Sequence, residues 1–210
     1  MGLAQLKAEY TLEEYLDFER KANVRHEYTQ GQIEVMVGEC FEHSIICANL
    51  SRRVGDRLEG TGCRTLSPNM KIKTSAKNNV YYADLLVLYG QPIFHDERRD
   101  VLCNPRVIFE VLSASTEARN RGEKFADYQT IDALVDYVLV DQYKPCVEIF
   151  TKQANGTWLY DKIEGLERMI DLSSIHCRLS LAEIYQDVVF QLRRSKRSLK
   201  IVPTKDEPSN

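Results

Sequence analysis

Val107-Ile108-Phe109-Glu110-Val111-Leu112 is an apolar run broken by one acid, and the rest of the chain is best read outward from it. Its β-branched and aromatic content predicts a strand buried on both faces. Upstream, Tyr81-Tyr82-Ala83-Asp84-Leu85-Leu86-Val87-Leu88-Tyr89 has the same character, with Asp84 as its single acid. An ionised carboxylate buried without a partner is very costly, so each acid needs hydrogen bonds, a counter-charge or a metal. If the two strands are neighbours, the acids converge. Two carboxylates about 4 Å apart repel by about 4 kcal/mol at an effective dielectric of about 20. A divalent cation turns that repulsion into binding, and oxygen ligands suit Mg2+ or Mn2+. The pattern equally permits each acid to sit at a sheet edge or to pair with an arginine such as Arg106.

Around this pair the chain alternates helices and strands. Residues 11–21 predict a helix capped by Thr11, with Glu14 at the capping-box offset. Residues 32–37 alternate as a strand. Residues 42–58 form the best amphipathic helix, with Ile46, Leu50, Val54 and Leu58 repeating every four positions. Residues 69–73 read as a half-exposed strand, 81–89 and 106–112 as single buried strands, and 90–104 as a polar loop. The hydroxyls of Ser113, Ser115 and Thr116 introduce a helix running to about Thr130. Strands follow at 136–141, 146–151 and 157–163, the last two joined by an Asn155-Gly156 hairpin. Residues 169–172 suggest an edge strand and 180–187 a closing helix. The order predicts an α/β protein of the α+β kind, a mixed sheet with helices on both faces.

The 210 residues suit one domain, assigned to 1–190, followed by a basic, flexible tail over 191–210. With 43% hydrophobic residues the chain is too apolar for a disordered protein, and no apolar run approaches a membrane span. The first seven residues lack the basic-then-apolar pattern of a signal peptide, which predicts a cytoplasmic protein. The net charge of -3 hides an asymmetry: the tail carries +4 and the body -7. Residues 63–79 form a further basic island with Arg64, Lys71, Lys73 and Lys77 and no acid. Six cysteines and four histidines are scattered without a paired-ligand spacing, which predicts reduced thiols rather than a zinc site. His43 shares a helical stripe with Ile46, Cys47 and Leu50, and reads as a packed or helix-start residue. Ser113 and Ser115 read as caps, since no histidine–acid partner set is evident.

The run from Asn104 through Val107-Ile108-Phe109-Glu110-Val111-Leu112 to Glu117, then Asn120-Arg121-Gly122-Glu123-Lys124-Phe125-Ala126-Asp127-Tyr128, and then Tyr137-Val138-Leu139-Val140-Asp141, resembles the Uma-type putative restriction endonucleases. These form a branch of the PD-(D/E)xK nuclease superfamily. His26-Glu27-Tyr28, Gly31, Met36 and His43 resemble the family's N-terminal signature. Ser173-Ser174-Ile175 and Leu181-Ala182-Glu183-Ile184-Tyr185 resemble its end. The likeness spans residues 10–190. It implies a restriction-endonuclease-like core and Mg2+-dependent (or Mn2+-dependent) hydrolysis of DNA phosphodiesters. Asp84 and Glu110 would be the metal ligands and Glu27 an additional acid of the site. A homodimer or higher homo-oligomer is also implied, because two DNA strands need two sites.

Two departures stand out. Ala83 replaces the proline expected before the aspartate. The lysine expected two residues after the glutamate falls at Leu112, although side chains two apart on a strand share a face. The resemblance points to Lys124, on the helix after the Glu110 strand, as the displaced catalytic cation. Tyr128 and Gln129 lie on that helix as candidates to face substrate, and Tyr128 reads equally well as core. The alternative is a catalytically silent nuclease fold that serves as a DNA-binding or protein-interaction module. Retention of Asp84, Glu110 and Lys124 together favours the enzyme.

Overall fold

The computed structural model describes residues 9–190, so the basic tail after Phe190 lies outside the described residues. Helix α1 (Leu12–Glu19) starts at a Thr11/Glu14 capping box, as its sequence predicts. It is followed by strands β1 (His26–Thr29) and β2 (Gln32–Val35), paired antiparallel with Thr29 opposite Gln32. The two-residue connection needs positive φ twice, supplied by Gln30 (48°) and Gly31 (85°). Helix α2 (Phe41–Leu58) buries the predicted Ile46, Leu50, Val54 and Leu58 stripe.

Next come β3 (Cys63–Leu66), β4 (Lys71–Lys73), β5 (Val80–Tyr82), β6 (Leu85–Tyr89), β7 (Val101–Leu102) and β8 (Val107–Leu112). The run at 81–89 is therefore not one strand. It breaks at Ala83-Asp84, and β5 and β6 belong to different sheets. Both halves are apolar because both are buried, which masks the switch between sheets. The loop after β6 also contributes a strand: β7 pairs parallel with β4.

The segment after β8 is helical but not uniformly so. Helix α3 (Glu117–Arg119) runs into a π-helical turn (Asn120–Lys124) and then helix α4 (Phe125–Tyr128). Strands β9 (Asp136–Asp141), β10 (Cys146–Lys152) and β11 (Trp158–Glu164) follow, with Gly156 at φ 84° in the predicted hairpin. Strand β12 (Met169–Leu172) pairs with β13 (Cys177–Ser180) in a separate ribbon instead of edging the large sheet. Helix α5 (Leu181–Ile184) closes the described chain behind a Ser180/Glu183 capping box.

The six-stranded sheet has the order β11-β10-β9-β8-β6-β3 and the five-stranded sheet β2-β1-β5-β4-β7. The large sheet is mixed: β8 and β9 are parallel, while β6 runs antiparallel to β8. Alternation along β8 divides its side chains between two cores. Val107, Phe109 and Val111 pack with Ile46, Leu50 and Val54 of α2. Ile108 and Leu112 pack with Tyr81 of β5 and Tyr128 of α4. Glu110 shares the second face, so its carboxylate is directed into the space between the two sheets.

Candidate active site

The pairing of β6 with β8 sets Leu85 opposite Phe109 and Leu86 opposite Ile108. Carried one residue further, that register faces Asp84 with Glu110. The chain at Asp84 has already left β6, and its side chain takes over the missing backbone role: Val111 N–H donates to Asp84 Oδ2 at 2.6 Å. Asp84 Oδ1 lies 3.2 Å from His43 Nε2 of α2. Neither acid relies on Arg106. Asp84 is held by α2 and β8, Glu110 by the helical segment.

Lys124 reaches Glu110 from the π-helical turn. A π turn carries one more residue than an α turn, which redirects the side chains that follow, and such turns recur at functional sites. Lys124 Nζ donates to Glu110 Oε1 at 3.1 Å and to the Tyr82 carbonyl at 3.1 Å, and lies 2.8 Å from Glu27 Oε1. Tyr128 OH also donates to Glu110 Oε1, at 3.1 Å. Leu112, where the sequence pattern leads one to expect the lysine, is buried in the apolar core beside Ile108.

Glu27 is fixed by the small sheet. Glu19 at the end of α1 accepts from His26 N–H at 3.0 Å and from Tyr82 OH at 2.8 Å, which fastens β1 against β5. Tyr82 N–H donates to Glu27 Oε1 at 3.2 Å, and Arg119 lies 2.8 Å from Glu27 Oε2 and 3.0 Å from Glu34. All four residues singled out from sequence, Glu27, Asp84, Glu110 and Lys124, line one cleft of about 470 Å³.

Charge decides what this cleft favours. Lys124 lies against Glu110 and Glu27, and Arg119 against Glu27 and Glu34, so among the described residues no lysine or arginine pairs with Asp84. Burial pushes the Glu110 carboxyl up to about 7 despite the Lys124 ammonium, and Asp84 and Glu27 push the same way. Burial pulls Lys124 down, but the Glu110 and Glu27 carboxylates outweigh it, and its charge is held firmly. The Asp84 and Glu110 carboxylates both line the cleft and together form an oxygen donor set that fits a hard divalent cation.

The structure adds residues that pattern reading passed over. His43 is not simply packed: it faces Asp84 and lies 3.5 Å from Glu39. Burial lowers its pKa, but the Asp84 hydrogen bond and charge, with Glu39 and Glu110, raise it on balance. Arg119 is the other, and Tyr128, which the sequence left between core and site, donates to Glu110. Their signal, a polar group aimed at a buried acid, exists only once the elements are packed. Ser113 and Ser115 hydrogen-bond to each other at 3.0 Å in the turn before α3. The basic island is partly neutralised from outside its own sequence. Lys71 pairs with Asp100 at 3.0 Å, Lys77 with Asp127 at 3.0 Å, Lys73 donates to Asn78 at 2.8 Å and Arg64 to the Gly90 carbonyl. Lys71 and Lys77 are thus paired with carboxylates, whereas Lys73 and Arg64 meet uncharged oxygens and keep their charge.

Among the described residues no helix is long and apolar enough to cross a membrane. Comparison with known proteins agrees with the architecture. A putative nuclease of the DUF820 group from Anabaena variabilis superposes with a TM-score of 0.69 at 15% identity, covering 83% of this chain and 97% of that one. The uncharacterized protein slr1290 of Synechocystis is 32% identical over 179 residues, 85% of this chain and 92% of that protein. The uncharacterized protein sll1609 of the same organism is 30% identical over 163 residues, 78% of this chain and 92% of that protein. The Uma2 family model, described as putative restriction endonuclease, matches residues 12–182. This chain belongs to the Uma2 family of putative restriction endonucleases.

Proposed function

We propose that the chain is a divalent-metal-dependent endonuclease that hydrolyses DNA phosphodiesters at the cleft between its two sheets. The observation that carries this reading is Lys124 Nζ held between Glu110 and Glu27, beside the Asp84–Glu110 pair. Asp84 and Glu110 would hold Mg2+ or Mn2+. When bound, the ion supplies Lewis-acid stabilisation of phosphate charge and lowers the pKa of an attacking water.

The chain's own residues do the remaining work. Val111 N–H and His43 fix the Asp84 carboxylate, and Tyr128 fixes Glu110, so both acids are pre-aimed. Lys124 keeps its proton and presents a buried cation to negative charge developing on the phosphate. Glu27 positions that ammonium, and Arg119 offsets the charge of Glu27. The body of the chain is acidic, so attraction to DNA is weak and salt-sensitive, and it improves with metal bound. Action as a homodimer follows from the need to cut two strands.

The test is cleavage of plasmid and oligonucleotide DNA with Mg2+ or Mn2+ by wild type, Asp84→Ala, Glu110→Ala and Lys124→Ala. Metal-dependent cleavage lost in all three supports the proposal. Cleavage that survives all three rejects the assignment. Metal binding without cleavage of DNA or RNA by the wild type points to a binding module instead.

A further inference from the structure

Glu39, His43 and Cys47 recur every four residues, from just before α2 into its second turn, so they stack along one helical face. That face meets Asp84. One ligand atom from each residue, a carboxylate oxygen from Glu39 and Asp84, a ring nitrogen from His43 and the Cys47 sulfur, lies within 4.8 Å of all the others. His43 Nε2 is 3.2 Å from Asp84 Oδ1 and 3.5 Å from Glu39 Oε2. Tetrahedral zinc bonds of about 2.0–2.3 Å put neighbouring donors about 3.3–3.8 Å apart. An ion there draws these donors closer together.

We propose that Glu39, His43, Cys47 and Asp84 form a second cation site, of the Zn2+ class. The donor types separate it from the carboxylate pair. Imidazole nitrogen and a sulfur atom suit Zn2+ and similar borderline ions, whereas Mg2+ demands oxygen. The His43 side chain is only 7% exposed and sits between two acids that are themselves donors of the site. Cys47 is half-buried, and a thiol bound to zinc gives up its proton to become a ligand. Glu110 takes no part in this site. Asp84 belongs to both, so loading one competes with loading the other. The site does not require the chain to cleave DNA.

Co2+ is the spectroscopic stand-in for Zn2+, titrated into the metal-free full chain with Zn2+ as competitor. Wild type, Cys47→Ser, His43→Gln and Glu110→Gln are compared, each checked for folding by circular dichroism. The expected result is intense visible absorption of low-coordinate Co2+ with a sulfur-to-metal charge-transfer band, displaced by Zn2+. Cys47→Ser removes the charge-transfer band, His43→Gln weakens binding by about 10–100-fold or more, and Glu110→Gln leaves both features. Weak six-coordinate absorption unchanged by Cys47→Ser overturns the proposal. So does a signal lost with Glu110→Gln and kept with His43→Gln, which places the ion on the carboxylate pair. Cys47→Ser is nearly isosteric, and it decides the matter alone if His43→Gln fails to fold.

Discussion

Lys124 Nζ lies 3.1 Å from Glu110 Oε1 across fourteen positions of sequence, and the contact joins the π-helical turn to the middle of β8. It takes the place of the neighbour two residues along the strand. A buried pair of this kind is a poor source of stability but costly to break from one side. Lys124→Met leaves Glu27 and Glu110 facing each other in a dry site. The expected loss is about 3–5 kcal/mol in urea unfolding of the metal-free protein. Adding Glu110→Gln to Lys124→Met recovers a large part of that loss, and the double-mutant cycle measures the coupling.

Metal binding should stabilise the folded chain through Asp84 and Glu110. At about 100 times the dissociation constant the gain is about 2.7 kcal/mol, read as a rise in melting temperature with Mn2+. Asp84→Asn should abolish the rise that depends on the carboxylate pair. Glu110→Gln should do so as well. An undiminished rise in both variants would place the ion elsewhere.

Acid sensitivity should appear at the other end of the small sheet. Arg20 donates to Asp100 at 3.0 and 2.8 Å, and Lys71 lies 3.0 Å from the same carboxylate. The Arg20 hydrogen bond, followed by those from Lys71, holds Asp100 well below the usual carboxylate range. A depressed carboxyl contributes stability that is complete above its unfolded value of about 3.9 and drains away as pH falls through its folded value. Asp100→Asn should therefore cost about 1 kcal/mol at neutral pH, and the difference from wild type should shrink steadily below about pH 4. A pH-independent difference contradicts the pairing.

Gly122 offers a control inside the π-helical turn. A Cβ there meets nothing within 4 Å, and its φ is not positive. Gly122→Ala should leave Lys124 in position and stabilise the chain by about 0.4–1 kcal/mol through the unfolded state. A large loss of stability in thermal melts would mean the turn needs a glycine for reasons other than space.

Part of the site could be read directly from sequence because burial makes acids conspicuous. Glu110 and Asp84 stand out as single charges in apolar runs, and the structure brings both to one cleft. Lys124 and Glu27 were reachable only through family resemblance, since a helix lysine and an acid near a turn are ordinary by pattern. The break between β5 and β6 was hidden because burial in either sheet selects the same residues. Strand β1 was missed because His26-Glu27-Tyr28-Thr29 buries Glu27 and Thr29 together with Tyr28, so no alternation marks it. Counting lysines in the basic island does not reveal that Asp100 lies beside Lys71 and Asp127 beside Lys77. His43 looked like core because its stripe is core, and Asp84, forty-one positions away, gives it a polar partner.

The most direct measurement is the rate of plasmid cleavage by Lys124→Met in saturating Mn2+, with metal binding by the same variant followed in parallel. A displaced catalytic lysine predicts cleavage reduced by about 10²–10³-fold while the variant stays folded and still binds metal. Cleavage at the wild-type rate by a folded, metal-loaded Lys124→Met would contradict the account.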